Sequence, residues 1–162
     1  MENNNFNDFL EIAKEKDINE IFQLLKKVTE DLHKRGIKQW VDEWKIQNIS
    51  DLVLNNNFYV QRLEKNGEII GIFSLEKNKL LLDQFPKSLY LSKIALLPKY
   101  QKKGIGAKMI QKAIEIVHSQ EKIVVLDCWN GNQKLKEYYK KLGFKYIMDL
   151  PEENYYISIF YL

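Results

Sequence analysis

The chain is short of several things, and each shortage narrows what it can be. It has one cysteine, Cys128, which excludes an internal disulfide and suits a reducing compartment. Its two histidines, His33 and His118, stand far apart, so neither they nor the lone cysteine make a zinc pattern, and no metal is expected. Both fall near expected helix C-terminal ends, where a surface histidine suits the dipole. Three prolines and seven glycines form no Pro/Gly/Ser-rich linker, and there is no internal repeat. No apolar run approaches the roughly 20 residues of a membrane span. The start, "MENNNFNDFL", lacks the basic-then-apolar plan of a signal peptide. One sign of charge barely prevails: 25 basic against 22 acidic residues, net +3, which by itself argues for no nucleic-acid partner. These absences predict a cytoplasmic protein with no membrane partner.

What is present is a globular composition, 45% hydrophobic and 12% aromatic, in 162 residues. That length suits one domain with a proper core, taken here as residues 1–162. Phe6 to Ala13 reads as a short strand. Asp17 can cap a helix, with Glu20 in the reciprocal capping-box position. Ile18, Ile21, Leu25, Val28 and Leu32 recur at helical spacing, and Gly36 supplies a stop. A short helix is predicted over Ser50 to Leu54. Two strands flank Asn66-Gly67, a strong hairpin signal.

"SLYLSKIAL" is another strand, ended by Pro98. A helix follows from Gly104 to about Ser119, then the buried-type strand "KIVVLDC". The last elements are a helix from Asn132 to Leu142 closed by Gly143, and two strands, "FKYIMDL" and "YYISIFYL". This order predicts a mixed α/β (α+β) domain with one central, mostly antiparallel sheet and about four helices. Its middle unit, Leu89 to Cys128, should be a right-handed parallel strand–helix–strand crossover.

The junction inside that crossover, "LPKYQKKGIGAKMI", carries the first chemical signal. The leading amides of a helix lack internal partners, and the dipole adds partial positive charge. Glycines let those amides approach an anion closely. Lys102, Lys103 and Lys108 add cations. An ordinary tight turn with solvated lysines would look the same. The run is not a Walker loop, because Ala107, Lys108 and Met109 follow Gly106, and Met109 also breaks the dinucleotide fingerprint.

"QKKGIG" does resemble the Arg/Gln-x-x-Gly-x-Gly/Ala signature of the GNAT acetyltransferase family, and it stands where that signature stands, after a strand and opening a helix. The resemblance implies a GNAT-like fold and acetyl-coenzyme A as cosubstrate. It implies that Gln101, Lys102, Lys103, Gly104, Ile105, Gly106, Ala107 and Lys108 hold the pyrophosphate through backbone amides. Ile94, Ala95 and Leu96 would meet the pantetheine arm. A bulge in that strand would offer an amide, expected to be that of Leu96, to the thioester carbonyl.

"NQKLKEYYKKLGF" resembles the family's second motif, with Asn132, Leu135, Tyr139 and Gly143-Phe144 in register. The resemblance gives Asn132 the pantetheine arm and Tyr139 the role of general acid to the departing thiolate. Asn132 and Tyr139 stand seven apart and so share a helix face, whereas Tyr138 is expected to point elsewhere and pack. A helical tyrosine is often only a core aromatic, and a helix-leading asparagine often only a cap.

The implied reaction moves an acetyl group directly to a primary amine, expected to be that of a small molecule. It needs a neutral amine, and Glu76, with Asp83 behind it, is the candidate base, an exposed strand-end carboxylate being the ordinary alternative. The acceptor side should come from "KRGIKQWVDEW", where Trp40 and Trp44 could share a helical face. Trp40 lines the acceptor or anchors the core, and Asp42 and Glu43 could attract a cationic amine. Cys128 should be buried and inert. Two rivals stay open: a non-catalytic acetyl-coenzyme A-binding module, and a nucleic-acid binder using the lysines from Lys99 to Lys112. The family likeness also leaves room for a homodimer.

Overall fold

The structure, a computed structural model, describes residues 9–81 and 83–162. Its strands are β1 (Phe9–Ile12), β2 (Phe58–Arg62), β3 (Ile69–Lys77), β4 (Ser88–Leu96), β5 (Ile123–Trp129), β6 (Lys145–Pro151) and β7 (Tyr156–Tyr161). Its helices are α1 (Ile18–Lys34), α2 (Ile46–Leu54), α3 (Ile105–His118) and α4 (Gln133–Lys141). The first strand begins at Phe9, and the first three residues of the expected one, Phe6 to Asp8, lie outside the described residues.

All seven strands join one sheet in the order β1-β2-β3-β4-β5-β7-β6. Only β4 and β5 are parallel, so the expected mixed sheet with one parallel crossover through α3 is what forms. The crossover has a consequence for the site. β4 and β5 pair only from Ser88↔Ile123 to Tyr90↔Val125. Beyond that point neither strand bonds the other, and the sheet opens.

Strand alternation sorts the core into two layers. On one face Met109, Ile110, Ala113 and Val117 of α3 pack with Leu91, Leu126 and Phe160, and Tyr139 and Phe144 join them. On the other, Ile21, Leu25 and Val28 of α1 pack with Ile49 of α2 and with Val60, Ile72 and Ala95.

The start of α1 differs from the capping box expected there. Asp17 makes no side-chain cap to the helix. Its Oδ2 accepts from the amide of Lys14 at 2.9 Å, closing the preceding 3-10 turn, and Oδ1 accepts from Arg62 at 2.8 Å. Glu20 instead accepts from the amide of Ile69 at 2.7 Å, tying α1 to the start of β3. A buried arginine outcompetes the helix amides for Asp17 because an unpaired buried charge costs more than an uncapped amide.

Candidate active site

A cleft of about 540 Å³ occupies the opening between β4 and β5. Its walls are β4 from Tyr90 to Leu96, the start of α3, α4 and the segment after α1. Each wall follows from local sequence.

At the α3 end, Gly104 is the N-cap in the left-handed region, φ 79°, which a residue with a Cβ adopts only under strain. Gly104 and Gly106 line the cleft at this turn, where the first amides of α3 have no partner within the helix. Gln101 donates through Nε2 to the carbonyl of Leu96 at 2.9 Å, lashing the loop to the end of β4.

On β4, Ser92 faces Ser74 and Ala95 faces Ile72, so Lys93 and Ile94 together oppose Phe73. This is a bulge, with Lys93 at φ 52°. The expected bulge is therefore present, centred on Lys93 and Ile94, just before Leu96. The amide of Leu97 bonds Ile70 at 2.8 Å, so by alternation the amide and carbonyl of Leu96, paired opposite Gly71, turn from β3 toward the cleft.

On α4, Asn132 is the N-cap and its Oδ1 accepts from the amide of Leu135 at 3.2 Å. Gly143, at φ 99°, ends the helix, and the amide of Phe144 bonds the carbonyl of Tyr139 at 3.1 Å. The rings of Tyr139 and Phe144 lie 5.8 Å apart. The three motif residues Tyr139, Gly143 and Phe144 thus form one helix-stop unit that fixes Tyr139 in the wall.

Of the residues expected at a cofactor, Ile94, Ala95, Leu96, Gln101 and Lys102 line the cleft, as do Gly104, Gly106, Ala107, Asn132 and Tyr139. Lys103, Ile105 and Lys108 are not in its lining. Ile105 is buried in the core, and Lys103 lies over the ring of Tyr100, 5.9 Å from its centre. Tyr138 does line the cleft, against the expectation that it turns away. Its hydroxyl lies 3.7 Å from where a Cβ on Gly106 would sit.

Glu76 stays out of the lining. Its Oε2 is occupied by Lys93 Nζ at 2.7 Å and by the hydroxyl of Ser74 at 2.8 Å, so its carboxylate is spent within the sheet. Asp83 is exposed.

The segment after α1 forms the far wall. The amide of Ile37 bonds Leu32 at 3.0 Å past Gly36. Gln39 accepts through Oε1 from the amide of Trp129 at 2.9 Å. Trp40 and Trp44 share no helix, because the chain is irregular there and Trp40 has φ 54°. Their rings meet edge to face at 5.3 Å, and Trp44 donates to Thr29 at 2.8 Å. Trp40 lines the cleft beside Val28, Leu32 and Ile37.

With this geometry in place, the likenesses decide the family. Residues 18–144 match the family model described as Acetyltransferase (GNAT) family. The chain belongs to the GNAT acetyltransferase family. A Bacillus subtilis protein called uncharacterized N-acetyltransferase YesJ is 28% identical over 140 residues, 81% of this chain and 78% of that protein. A GNAT-family acetyltransferase structure from Listeria monocytogenes shares the fold, with a TM-score of 0.78 at 18% identity over 96% of this chain and 95% of that one. So does yncA from Salmonella typhimurium, solved with its cofactor acetyl-CoA: TM-score 0.74, 18% identity, 96% and 92% covered. This GNAT protein is thus an N-acetyltransferase with acetyl-coenzyme A as the acetyl donor.

The residues of this GNAT cleft fit such a donor. Free helix amides at an uncrowded glycine turn suit a diphosphate. The strand edge bared beyond Tyr90 and Val125 suits an extended amide-bearing arm. Burial raises the phenol of Tyr139 well above its ordinary value, aided by Cys128 and Asp127, so it keeps its proton at neutral pH. Among the described residues no cluster of His, Cys, Asp or Glu could hold a metal, and no helix is long and apolar enough to cross a membrane.

Among the polar lining residues that sequence reasoning missed are Tyr90 and Asp127. Tyr90 donates its hydroxyl to Oδ2 of Asp127. A signal for Asp127 existed: a carboxylate interrupting the apolar run "VVLDCW" of a central strand needs a reason to be there.

Proposed function

We propose that this GNAT enzyme acetylates the primary amine of a small molecule, acting as one domain over residues 1–162 in the cytoplasm. The observation that carries the reading is the parting of β4 from β5 after Tyr90 and Val125, which leaves one cleft shared by the glycine loop, Tyr139 and the Trp40 segment. Acetyl-coenzyme A supplies the acetyl group as a thioester. The amides from Lys102 to Ala107 bind its diphosphate, the Gln101 amide being held by the carbonyl of Pro98 at 3.1 Å, with the Lys102 side chain at the rim. The β4 edge from Ile94 to Leu96, where the Leu96 amide turns to the cleft, binds the arm, and Asn132 and Tyr138 line its far wall.

Stabilising the negative charge that develops on the carbonyl oxygen belongs to a β4 amide at or just after the bulge, Ile94 or Leu96. Tyr139 gives its proton to the departing sulphur. Holding amine and thioester together supplies much of the rate. A small acceptor suits this end of the cleft: Gln39 latches its segment to Trp129, Trp44 is held to Thr29, and Val28, Leu32, Ile37 and Trp40 give it an apolar wall beside Tyr90 and Asp127. A protein acceptor would want an open groove there.

The test is thiol release from acetyl-coenzyme A with a panel of amines that includes polyamines, amino acids, aminoglycosides and lysine peptides. Turnover of a small amine supports the reading. Turnover of peptides alone would overturn the small-molecule assignment, and coenzyme A binding without turnover of any amine would leave a binding module.

A further inference from the structure

We propose that Asp127, oriented by Tyr90, receives the acceptor at the α1-side mouth of the cleft, holding the substrate ammonium and taking one of its protons, so that the preferred substrates are cationic primary amines with an apolar body and no carboxylate beside the nitrogen. The inference rests on the acetyltransferase reading above and adds the substrate class and a proton acceptor.

Placement comes first. Tyr90 is the last residue of β4 that pairs with β5, opposite Val125. Asp127 is two residues beyond Val125, so alternation puts both side chains on the sheet face that carries α1 over β3 and β4 and, over β5, the cluster of Leu80, Phe85 and Tyr155 around Val125. Tyr139 rises from α4 among the core residues of the opposite face. The opening thus has a phenol at one mouth and a carboxylate at the other, the arrangement needed if sulphur departs one way and the amine arrives the other.

Charge comes second. Both Tyr90 and Asp127 line the cleft, yet no cation forms an ion pair with Asp127 among the described residues, and two of the cations that share the lining, Lys93 and Arg35, are committed to other carboxylates. Lys93 is held by Glu76 at 2.7 Å and Arg35 by Asp31 at 2.8 Å. Burial raises the Asp127 carboxyl above its ordinary value and Glu152 adds to this, while the Tyr90 hydrogen bond and Lys93 work in the opposite direction. Glu76 acts on Tyr90 from β3, and Asp127 in turn helps to raise Tyr139. A half-buried carboxylate without a counter-ion attracts an ammonium and is a better base than an exposed one. A second carboxylate on the substrate, next to the nitrogen, would face Asp127 and Glu152 and be repelled. Val28, Leu32, Ile37 and Trp40 then take an apolar body.

The step balances. The ammonium gives one proton to Asp127, which passes it to water. The freed lone pair forms the C–N bond as the C–S bond breaks. The nitrogen then gives a second proton to water, Tyr139 protonates the sulphur and regains a proton from water, and one proton is released overall.

The probes are 2-phenylethylamine and phenylalanine, the same body without and with the carboxylate. Coenzyme A binding is measured separately by calorimetry. With carboxyl-13C-aspartate protein, the Asp127 signal (assigned from Asp127→Asn) should shift on adding 2-phenylethylamine. That amine should be turned over at least about tenfold more efficiently than phenylalanine, a difference of about 1.4 kcal/mol. Asp127→Asn keeps an oxygen for Tyr90. It should lower kcat/KM about a hundredfold or more, abolish the acid limb of its pH profile and leave coenzyme A binding within about threefold. Tyr90→Phe removes a hydrogen bond that lowers the Asp127 pKa, so it should move that limb to higher pH. An unmoved Asp127 signal, a preference for phenylalanine, or an Asp127→Asn enzyme of near-normal activity with its acid limb intact would overturn this inference alone. Loss of coenzyme A binding in the parent protein would remove it together with the acetyltransferase reading.

Discussion

Alanine at Gly104 and alanine at Gly106 should move stability in opposite directions, although only Ile105 separates the two glycines. Gly104 has φ 79° and nothing within 4 Å of where a Cβ would lie. Crowding therefore contributes nothing, and the whole cost is that of the left-handed backbone, about 1–2 kcal/mol for a residue with a side chain. In a protein of this size that lowers Tm by roughly 2–8 °C. Gly106 lies in the first turn of α3, and its added methyl would meet Tyr138 Oη at 3.7 Å and Leu96 Cδ2 at 4.0 Å, both ordinary contacts. Restricting the unfolded chain there should stabilise by about 0.4–1 kcal/mol.

Coenzyme A separates the two further. If the Gly104 turn relaxes in the variant, binding must restore it, so Kd should weaken by up to the same 1–2 kcal/mol, roughly 5–30-fold. The family signature accepts alanine at the second glycine, so Gly106→Ala should stay within about threefold. Thermal denaturation with and without coenzyme A, plus calorimetry, measures both quantities. The reasoning fails if the two substitutions shift Tm the same way, or if Gly104→Ala binds coenzyme A as tightly as the parent.

Tyr139→Phe should lower kcat about 10²–10⁴-fold, the usual worth of a general acid, while coenzyme A affinity measured by calorimetry holds. Arg62 and Asp17 form a buried pair at 2.8 Å, with side chains 6% and 5% exposed. Arg62→Ala strands the carboxylate and should cost about 3–5 kcal/mol in urea denaturation, more than Arg62→Ala combined with Asp17→Ala. Burial, then the charge of Asp127, pushes the Cys128 thiol up to about 12, against about 8.5 in an unfolded chain. Between those values the unfolded chain has lost a proton that the native state keeps, so this group's contribution to stability is complete below pH 8 and declines toward pH 12. The urea midpoint of Cys128→Ala should therefore fall less steeply between pH 9 and 11, and a thiol reagent at pH 8 should label the parent only on unfolding.

Much of the fold was legible because its elements announce themselves locally. The Asn66-Gly67 turn joins its two strands, Gly36 and Gly143 stop their helices, and Pro98 follows β4 closely. The glycine–lysine junction and the Asn132–Phe144 segment were legible as motifs because each encodes its own turn. What local pattern could not supply was long-range partnership. Asp17 reads as a helix cap until Arg62 arrives from β2, 45 residues later. Glu76 reads as a free carboxylate until the bulge turns Lys93 onto it.

The Trp40–Trp44 spacing suggested a helix, but Gln39 and Trp44 are drawn to β5 and α1, and those tertiary bonds override a weak helical preference. Tyr138 was assigned to packing because it stands about a quarter turn from Tyr139. The cleft is wide enough for both, since α4 presents two adjacent tyrosines to an opening rather than to a flat sheet. Pairing Tyr90 with Asp127 required knowing where β4 and β5 part.

The most direct test of the central claim is a crystal structure of the protein with acetyl-coenzyme A. The diphosphate should lie on the amides around Gly104 and Gly106, the acetyl group in the gap between β4 and β5, and the sulphur toward Tyr139. A donor bound elsewhere, or a gap closed by side chains, would contradict the account.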